Sequence, residues 1–391
     1  MNVLKVISSF PPAYSYGGPL VVAYETAKKL VARGHSVTVL TTDVYDATSR
    51  LQYDRNPLQM DSINVYHFKN VSNKLARRNF GIAPSMAAYL DKHVKDFDFV
   101  HVYEYRSFQA VLVHHFAKKH RVPYIVQPNA STPRVVSKQK LKWLYDVTVG
   151  YAILRGATKV IAISKEERAT DRGMGVEEDR LSLIYTGMDV EAFKHLPPRG
   201  TFRARHGVDG KMMLYLGRLN KSKGLHQLLV ALSRLVKSLD GVTLVIAGPD
   251  EGCRAQLEDL VRELNIGDRV KFTGFVEEAD KMAAYVDADL FVHPVKYMGG
   301  VGIAPLEAIL CGTPVVVSEE CAEIIKEANA GCVVKYGDIG HLVSALKYVL
   351  QERAEAQKMT ERGTQFILNN LTWDKVVDRV EAVYDGCLAR R

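Results

Sequence analysis

GGVGIAPLEAILCGTPVVVS, residues 299–318, decides how the rest of the chain reads. Gly299, Gly300 and Gly302 form a loop where the backbone turns tightly or approaches a ligand closely. A short helix is predicted over residues 303–311. Gly312 stops it, Pro314 keeps it from resuming, and Val315, Val316 and Val317 continue as a buried strand. A glycine loop feeding a helix start offers free N–H groups at the positive end of a helix dipole, an arrangement that suits an anion. Glu307 falls one turn inside, where a lone carboxylate accepts from hydroxyls rather than binding phosphate. Together these suit the diphosphate and ribose of a nucleotide; a plain helix-surface glutamate is the bland alternative.

Outward from this stretch, strand and helix signals alternate over 391 residues, a length for two domains or more. In the first half, strands are predicted near residues 2–9, 36–42, 64–68, 99–103, 123–127, 160–164 and 181–184. Helices lie between them, one of them over 165–172 with Ser164 as its cap and Glu167 at the capping-box position. Pro197-Pro198-Arg199-Gly200 reads as a linker, after which the pattern restarts with strands near 212–216, 243–247, 270–272, 290–293, 315–318 and 333–335. The last helix, 372–388, carries Trp373, Val376, Val377, Val380 and Tyr384 at helical spacing. Such alternation argues an α/β chain with parallel sheets covered on both faces.

Composition narrows the class. Hydrophobic residues are 47% and charged residues 25%, as in a globular protein with ample core. No run of 18 apolar residues marks a spanning helix, and the opening MNVLKVISSFPPAY reads as a first strand rather than a signal peptide. Five cysteines with no CxxC read as reduced, packed thiols of a cytoplasmic chain. The net charge of +8 is uneven: residues 1–195 hold 27 Lys and Arg against 18 Asp and Glu, while the remainder is near neutral. A basic first half favours an anionic partner such as a lipid phosphate, a membrane surface or nucleic acid, or else is a solvated face.

The chemistry-bearing residues cluster at strand ends. Arg218 and Lys223 in GRLNKSKG, between Gly217 and Gly224, make a positive clamp for a diphosphate, with surface ion pairing as the alternative. Gly248 opens GPDEG after the next strand and is counted with the same nucleotide site. Gly17 and Gly18 can offer N–H groups to the same phosphates, or form only a tight turn. Arg134, Lys138, Lys140, Lys142, Trp143 and Tyr145 suit an amphipathic helix on a membrane surface or bulky acceptor, although Trp143 could equally pack in the core. His114-His115 reads as structural and His101 as ambiguous. No metal cluster, GxGxxG, GxSxG or P-loop is present.

In this order and spacing, FPPAYSYGG (10–18), ATKVIAIS (157–164), IYTGMDVEAF (184–193), YLGRLNKSKG (215–224), VIAGPDEG (245–252), VKFTGF (270–275) and residues 301–318 resemble the retaining family 4 glycosyltransferases (glycosyl transferases group 1) over nearly the whole chain. The resemblance implies the GT-B architecture, two facing Rossmann-like domains with an interdomain cleft. Residues 1–196 would hold the acceptor, joined by the final helix, 372–391, crossing back. Residues 197–371 would hold a nucleotide-diphosphate sugar. It further implies Arg218 and Lys223 on the diphosphate, Gly18 as the N-domain glycine near it, and Glu307 on the ribose. Phe275 and Val276 would contact the base, and Ile303, Ala304 and Pro305 would line the diphosphate and sugar by their backbone.

Two positions depart from the family pattern. Gly299 stands where the first of two glutamates belongs, and Asn129, in QPNAST, stands where a histidine is usual. Asn129 cannot titrate but can orient a sugar hydroxyl. Thr186-Gly187 replaces the usual Asn-Gly. The expected activity is hexosyl transfer with retention from a UDP- or GDP-sugar to a glycan or lipid-linked acceptor, with Arg218, Lys223 and Asn129 at the reaction centre. No metal or other cofactor is required, with Arg218, Lys223 and helix N–H groups stabilising the leaving diphosphate, and no protein base is needed because an oxygen of that diphosphate can take the acceptor proton. The chain would work in the cytoplasm, touching anionic membrane on its cytosolic face, with no nucleic acid partner. The departures leave a non-catalytic nucleotide-sugar-binding subunit as the alternative. A nucleotide-sugar epimerase is a further one, lacking the acid/base carboxylates it would need.

Overall fold

The computed structural model describes residues 1–46, 48–76, 81–134, 139–296 and 302–389. Gly299 and Gly300 of the opening stretch, and Lys138 of the basic segment, lie outside the described residues.

The chain divides into two units, Met1–Met188 with Trp373–Arg391, and Asp189–Thr372. The first is built on eight strands: β1 (Asn2–Val6), β2 (Ser36–Thr42), β3 (Leu58–Met60), β4 (Ile63–Phe68), β5 (Phe99–Tyr103), β6 (Tyr124–Gln127), β7 (Lys159–Ala162) and β8 (Leu181–Leu183). Their order is β3-β4-β2-β1-β5-β6-β7-β8. Every pair is parallel except β3 with β4. The second unit holds β9 (Lys211–Leu216), β10 (Val242–Ala247), β11 (Val270–Gly274), β12 (Leu290–His293), β13 (Val315–Ser318) and β14 (Cys332–Val334), ordered β11-β10-β9-β12-β13-β14 and wholly parallel. These are the two parallel-sheet α/β units expected from the alternation. In each sheet the strand order reverses beside its first strand, between β1 and β5 and between β9 and β12. In doubly wound sheets that reversal, at the C-terminal ends of the strands, is where ligands bind.

The central strands are buried along nearly their whole length, because helices cover both faces. The helix Trp373–Leu388 belongs to the first unit. Its Trp373, Val376, Val377, Val380 and Tyr384 share one core cluster with Leu20, Ala23, Ala27 and Leu30 of the helix Gly18–Ala32. Ion pairs line the seam between the two helices, Lys29 with Asp374 at 2.8 Å and Arg33 with Asp378 at 2.8 Å and with Glu381, and His35 Nε2 shares a hydrogen bond of 2.7 Å with Glu381. Gly187 is required by this seam, since a Cβ there would stand 2.4 Å from the Trp373 ring. His101 is a core residue. It is fully buried, stacks on Tyr103 and shares a hydrogen bond of 2.8 Å with the Tyr384 hydroxyl. Trp143 does not enter the core; it is half exposed, as are Leu141 and Leu144.

The helix Lys165–Gly173 starts at Ser164, whose hydroxyl accepts the Glu167 amide at 3.1 Å. The reciprocal half of the capping box differs from expectation. The Glu167 carboxylate accepts from Ile163 N–H (3.1 Å) and from the Thr132 hydroxyl (3.2 Å) instead of from Ser164 N–H. Asp171, one turn along the same face, is also fully buried and makes no hydrogen bond of good geometry. Two carboxyls this close and this dry cannot both ionise readily. Burial pushes Glu167 up to about 7, and burial together with the Glu167 charge pushes Asp171 up to about 8, against the opposing pull of the Thr132 side chain and then of Arg106.

Two outcomes follow. Trp373→Ala should lower the stability of the first unit by about 3–5 kcal/mol, the usual cost of emptying an aromatic core site; an unchanged urea midpoint would mean the helix is held elsewhere. The raised carboxyl pair makes the folded state bind more protons than the unfolded one between the ordinary carboxyl range and about pH 8. Its stabilising contribution is therefore complete in acid and lost as the pH rises through 7 to 8. Melting temperatures scanned from pH 5 to 8.5 should fall, and Asp171→Asn should flatten the fall.

Candidate functional site

The second unit gathers most of the expected residues at the C-terminal edge of its sheet. Gly217 follows β9, Gly248 follows β10 and Gly274 ends β11, with Gly217 N–H on the Ala247 carbonyl (2.9 Å) and Gly248 N–H on the Gly274 carbonyl (2.7 Å). Gly248 has φ 138°, and a Cβ on it would lie 2.0 Å from the Gly217 oxygen, so only glycine fits. Gly224, at φ 68°, is equally constrained: a Cβ there would meet the Pro294 carbonyl at 1.8 Å. With the hydrogen bond from Lys296 N–H to Ser222 O (2.8 Å), this sets residues 217–224 beside the end of β12, at the reversal in strand order.

Arg218 and Lys223 stand on that segment in different surroundings. Arg218 is exposed and bonds Glu251 Oε1 through Nη1 at 2.7 Å; Asn220 Nδ2 holds the other oxygen at 2.8 Å. Asn220 also caps the turn Lys221–Lys223, its side chain accepting the Ser222 amide at 3.0 Å. Lys223 is half-buried, and burial, then the Arg218 charge, lower its pKa. Two cations at this strand end can neutralise a diphosphate, and Glu251 orients the first of them.

Glu307 lies on the helix Ile303–Leu310, whose N-cap is Gly302 and whose start has no side-chain cap and no acidic residue in its first turn. Its carboxylate is already engaged: Lys281 Nζ bonds Oε1 at 2.9 Å and the Tyr285 hydroxyl donates to Oε2 at 3.1 Å. Both partners come from the helix Glu278–Asp287, which begins two residues past Val276. Phe275, at the end of β11, is 73% exposed. Ile303 is exposed, Ala304 half-buried and Pro305 buried.

In the first unit, Gly17 (φ 97°) caps the helix Gly18–Ala32 with no side-chain cap, and both glycines border open space. Asn129 follows β6 and is half-buried at φ 55°; it exchanges hydrogen bonds of 3.2 Å with Gln127, amide to carbonyl in each direction.

Sequence reasoning missed the partners Glu251, Lys281 and Tyr285, which only the folded sheet brings to Arg218 and Glu307. It also passed over His293. This imidazole ends β12, is buried with neither ring nitrogen bonded, and is pushed down to about 3 by burial and by Lys223. A polar residue at the C-terminal end of an otherwise apolar strand was the available signal. Among the described residues no three His, Cys, Asp or Glu side chains are grouped to hold a metal ion.

Residues 199–366 match the family described as Glycosyl transferases group 1, and residues 16–192 the one described as Glycosyltransferase Family 4. An uncharacterized glycosyltransferase of Methanocaldococcus jannaschii, MJ1607, is 26% identical over 398 residues, spanning 98% of this chain and 98% of that protein. A D-inositol 3-phosphate glycosyltransferase of Thermomonospora curvata is 24% identical over 416 residues, spanning 95% and 90%. Among solved structures, Anabaena Alr3699/HepE in complex with UDP is similar in fold with a TM-score of 0.78 at 20% identity, covering 98% of this chain and 100% of that one. With both halves matched, and with two parallel-sheet α/β units ordered as described, the chain belongs to the group 1, family 4 glycosyltransferases and has the GT-B fold.

Proposed function

We propose that this protein transfers a hexosyl group, with retention of configuration and without a metal, from a UDP- or GDP-sugar to a glycan or lipid-linked acceptor. The observation that carries the reading is the pairing of Arg218 and Lys223 on a glycine-framed strand end at the reversal point of the second unit's sheet. The donor diphosphate would lie there, with the amides of Ile303 and Ala304 as further donors, Glu307 on the ribose and Phe275 and Val276 at the base. Lys281 and Tyr285 hold the Glu307 carboxylate in place, and its remaining lone pairs can accept ribose hydroxyls. The Anabaena HepE structures with UDP, with UDP and glucose, and with UDP-glucose support this class of donor.

In the step, the bond between the anomeric carbon and the diphosphate oxygen breaks as the acceptor oxygen bonds the same face of the sugar. The acceptor's hydroxyl proton passes to an oxygen of the departing diphosphate. Arg218 and Lys223 stabilise the negative charge that grows on that group. The first unit would carry the acceptor, with the Asn129 loop as a polar contribution.

The segment 139–150 supports peripheral contact with the cytosolic face of an anionic membrane. Leu141, Trp143, Leu144 and Val147 are exposed beside Lys140 and Lys142. Among the described residues no helix is long and apolar enough to cross a membrane.

A thermal-shift screen with UDP-, GDP- and ADP-sugars should reveal one stabilising donor. Arg218→Ala should weaken it roughly 10- to 100-fold, since a hydrogen bond to a charged group contributes about 1.5–3 kcal/mol. It should also abolish turnover, and Glu307→Ala should weaken the same donor severely. Tight donor binding with no transfer or hydrolysis in any assay would favour a non-catalytic subunit. Vesicles rich in phosphatidylglycerol should sediment the protein and phosphatidylcholine vesicles should not; Leu141→Glu with Leu144→Glu should release it, and binding indifferent to lipid charge would remove the membrane assignment.

A further inference from the structure

We infer that Glu167 is a positioning residue for the proposed transfer: buried beneath residues 127–132, it holds the loop that carries Asn129 in the shape that receives the acceptor. This rests on the reading that the first unit binds the acceptor.

The loop adopts an unfavourable conformation. Asn129 and Ala130 are consecutive non-glycine residues in the left-handed region, at φ 55° and 62°. Such a backbone persists only where its surroundings over-determine it. Two sets of contacts do so here. From one side, Arg106 Nη2 donates to the Thr132 carbonyl at 2.9 Å and Nη1 donates to the Ser131 carbonyl. The same guanidinium is locked on the buried Asp146 by bonds of 2.9 and 2.8 Å. The Tyr105 hydroxyl (3.0 Å) and Arg134 Nε (2.7 Å) complete the ring of donors around that carboxylate. From the other side, Glu167 takes the Thr132 hydroxyl and the Ile163 amide.

The helix does not require this carboxylate for its own start. Ser164 completes the cap with the Glu167 amide, which any residue at 167 would supply. The side chain instead reaches past the cap to the loop. A buried carboxylate is costly unless its lone pairs are satisfied, and all of its donors lie in the loop or at the end of β7. Of the two carboxyls Glu167 is the one bonded to the loop, since both oxygens of Asp171 lack a hydrogen-bond partner. An amide at 167 would keep the volume but turn an NH2 toward N–H and O–H donors.

The test compares Glu167→Gln with the wild-type chain in two measurements. Hydrogen exchange of the peptide spanning residues 124–134 should be faster in the variant. With UDP-glucose and octyl glucoside as probes, the acceptor KM should rise at least tenfold while the Kd for UDP stays unchanged. Unaltered exchange, or an acceptor KM and a UDP Kd that worsen together, would overturn the assignment. Should Glu167→Gln not fold, Thr132→Val removes a single donor and must show the same split in weaker form; no split would equally sink it. Exchange does not depend on turnover, so a wild-type protein that fails to transfer would count against the proposed activity while the loop measurement still decides the role of Glu167.

Discussion

A parallel sheet buried on both faces pairs the backbone of its inner strands internally and leaves free polar groups at its edges and where its strands end. The second unit is organised around that constraint. Its strand ends are drawn together so closely that Gly248 has no room for a Cβ beside the Gly217 carbonyl. The same tightness sets the segment bearing Arg218 and Lys223 against the end of β12. Cations that would be ordinary surface groups elsewhere become a fixed feature, one oriented by Glu251 and the other half-buried. Glu307 is held in the same manner, by side chains from the neighbouring helix rather than by its own.

The first unit solves a different problem. Its polar groups are buried and must be satisfied in place. Lys5 donates to the Tyr103 hydroxyl at 3.0 Å and to the Ala23 carbonyl at 3.2 Å, and burial holds its ammonium well below the usual lysine range. His101 stacks on Tyr103 and reaches Tyr384 on the C-terminal helix, so this polar chain ties β1, β5 and the two packed helices into one core. Around residues 127–132 the logic is similar. Asp146 and Glu167 are buried acceptors whose donors are the loop and the side chains that grip it. In both places a dry interior turns each hydrogen bond into a geometric restraint, because leaving it unmade is expensive.

How legible each part was depended on whether its cause is local. The parallel strands announced themselves as short apolar runs between glycine and proline stops, and the Ser164 cap lies within three residues of its partner. The antiparallel β3 did not. Its turn to β4 is Asp61-Ser62, both at positive φ (48° and 62°), a two-residue hairpin of the kind that sequence signals mark with Asn-Gly or Asp-Gly. Serine in the second place hides it. The exposure of Trp143 was open from sequence because an amphipathic basic helix reads the same whether its apolar side meets a core or a surface.

The amino-acid sequence by itself determined the class of fold, and it singled out the glycine-framed strand ends and Arg218, Lys223 and Glu307 as candidate site groups. These depend on residue type and on spacing along the chain, which periodicity and backbone propensity convert directly into local structure. Only the tertiary structure decided what those groups touch. Glu251 reaches Arg218 across 33 positions, Lys281 reaches Glu307 across 26, and Tyr384 reaches His101 across 283. Strand order and helix packing create such pairings, and no local pattern encodes them.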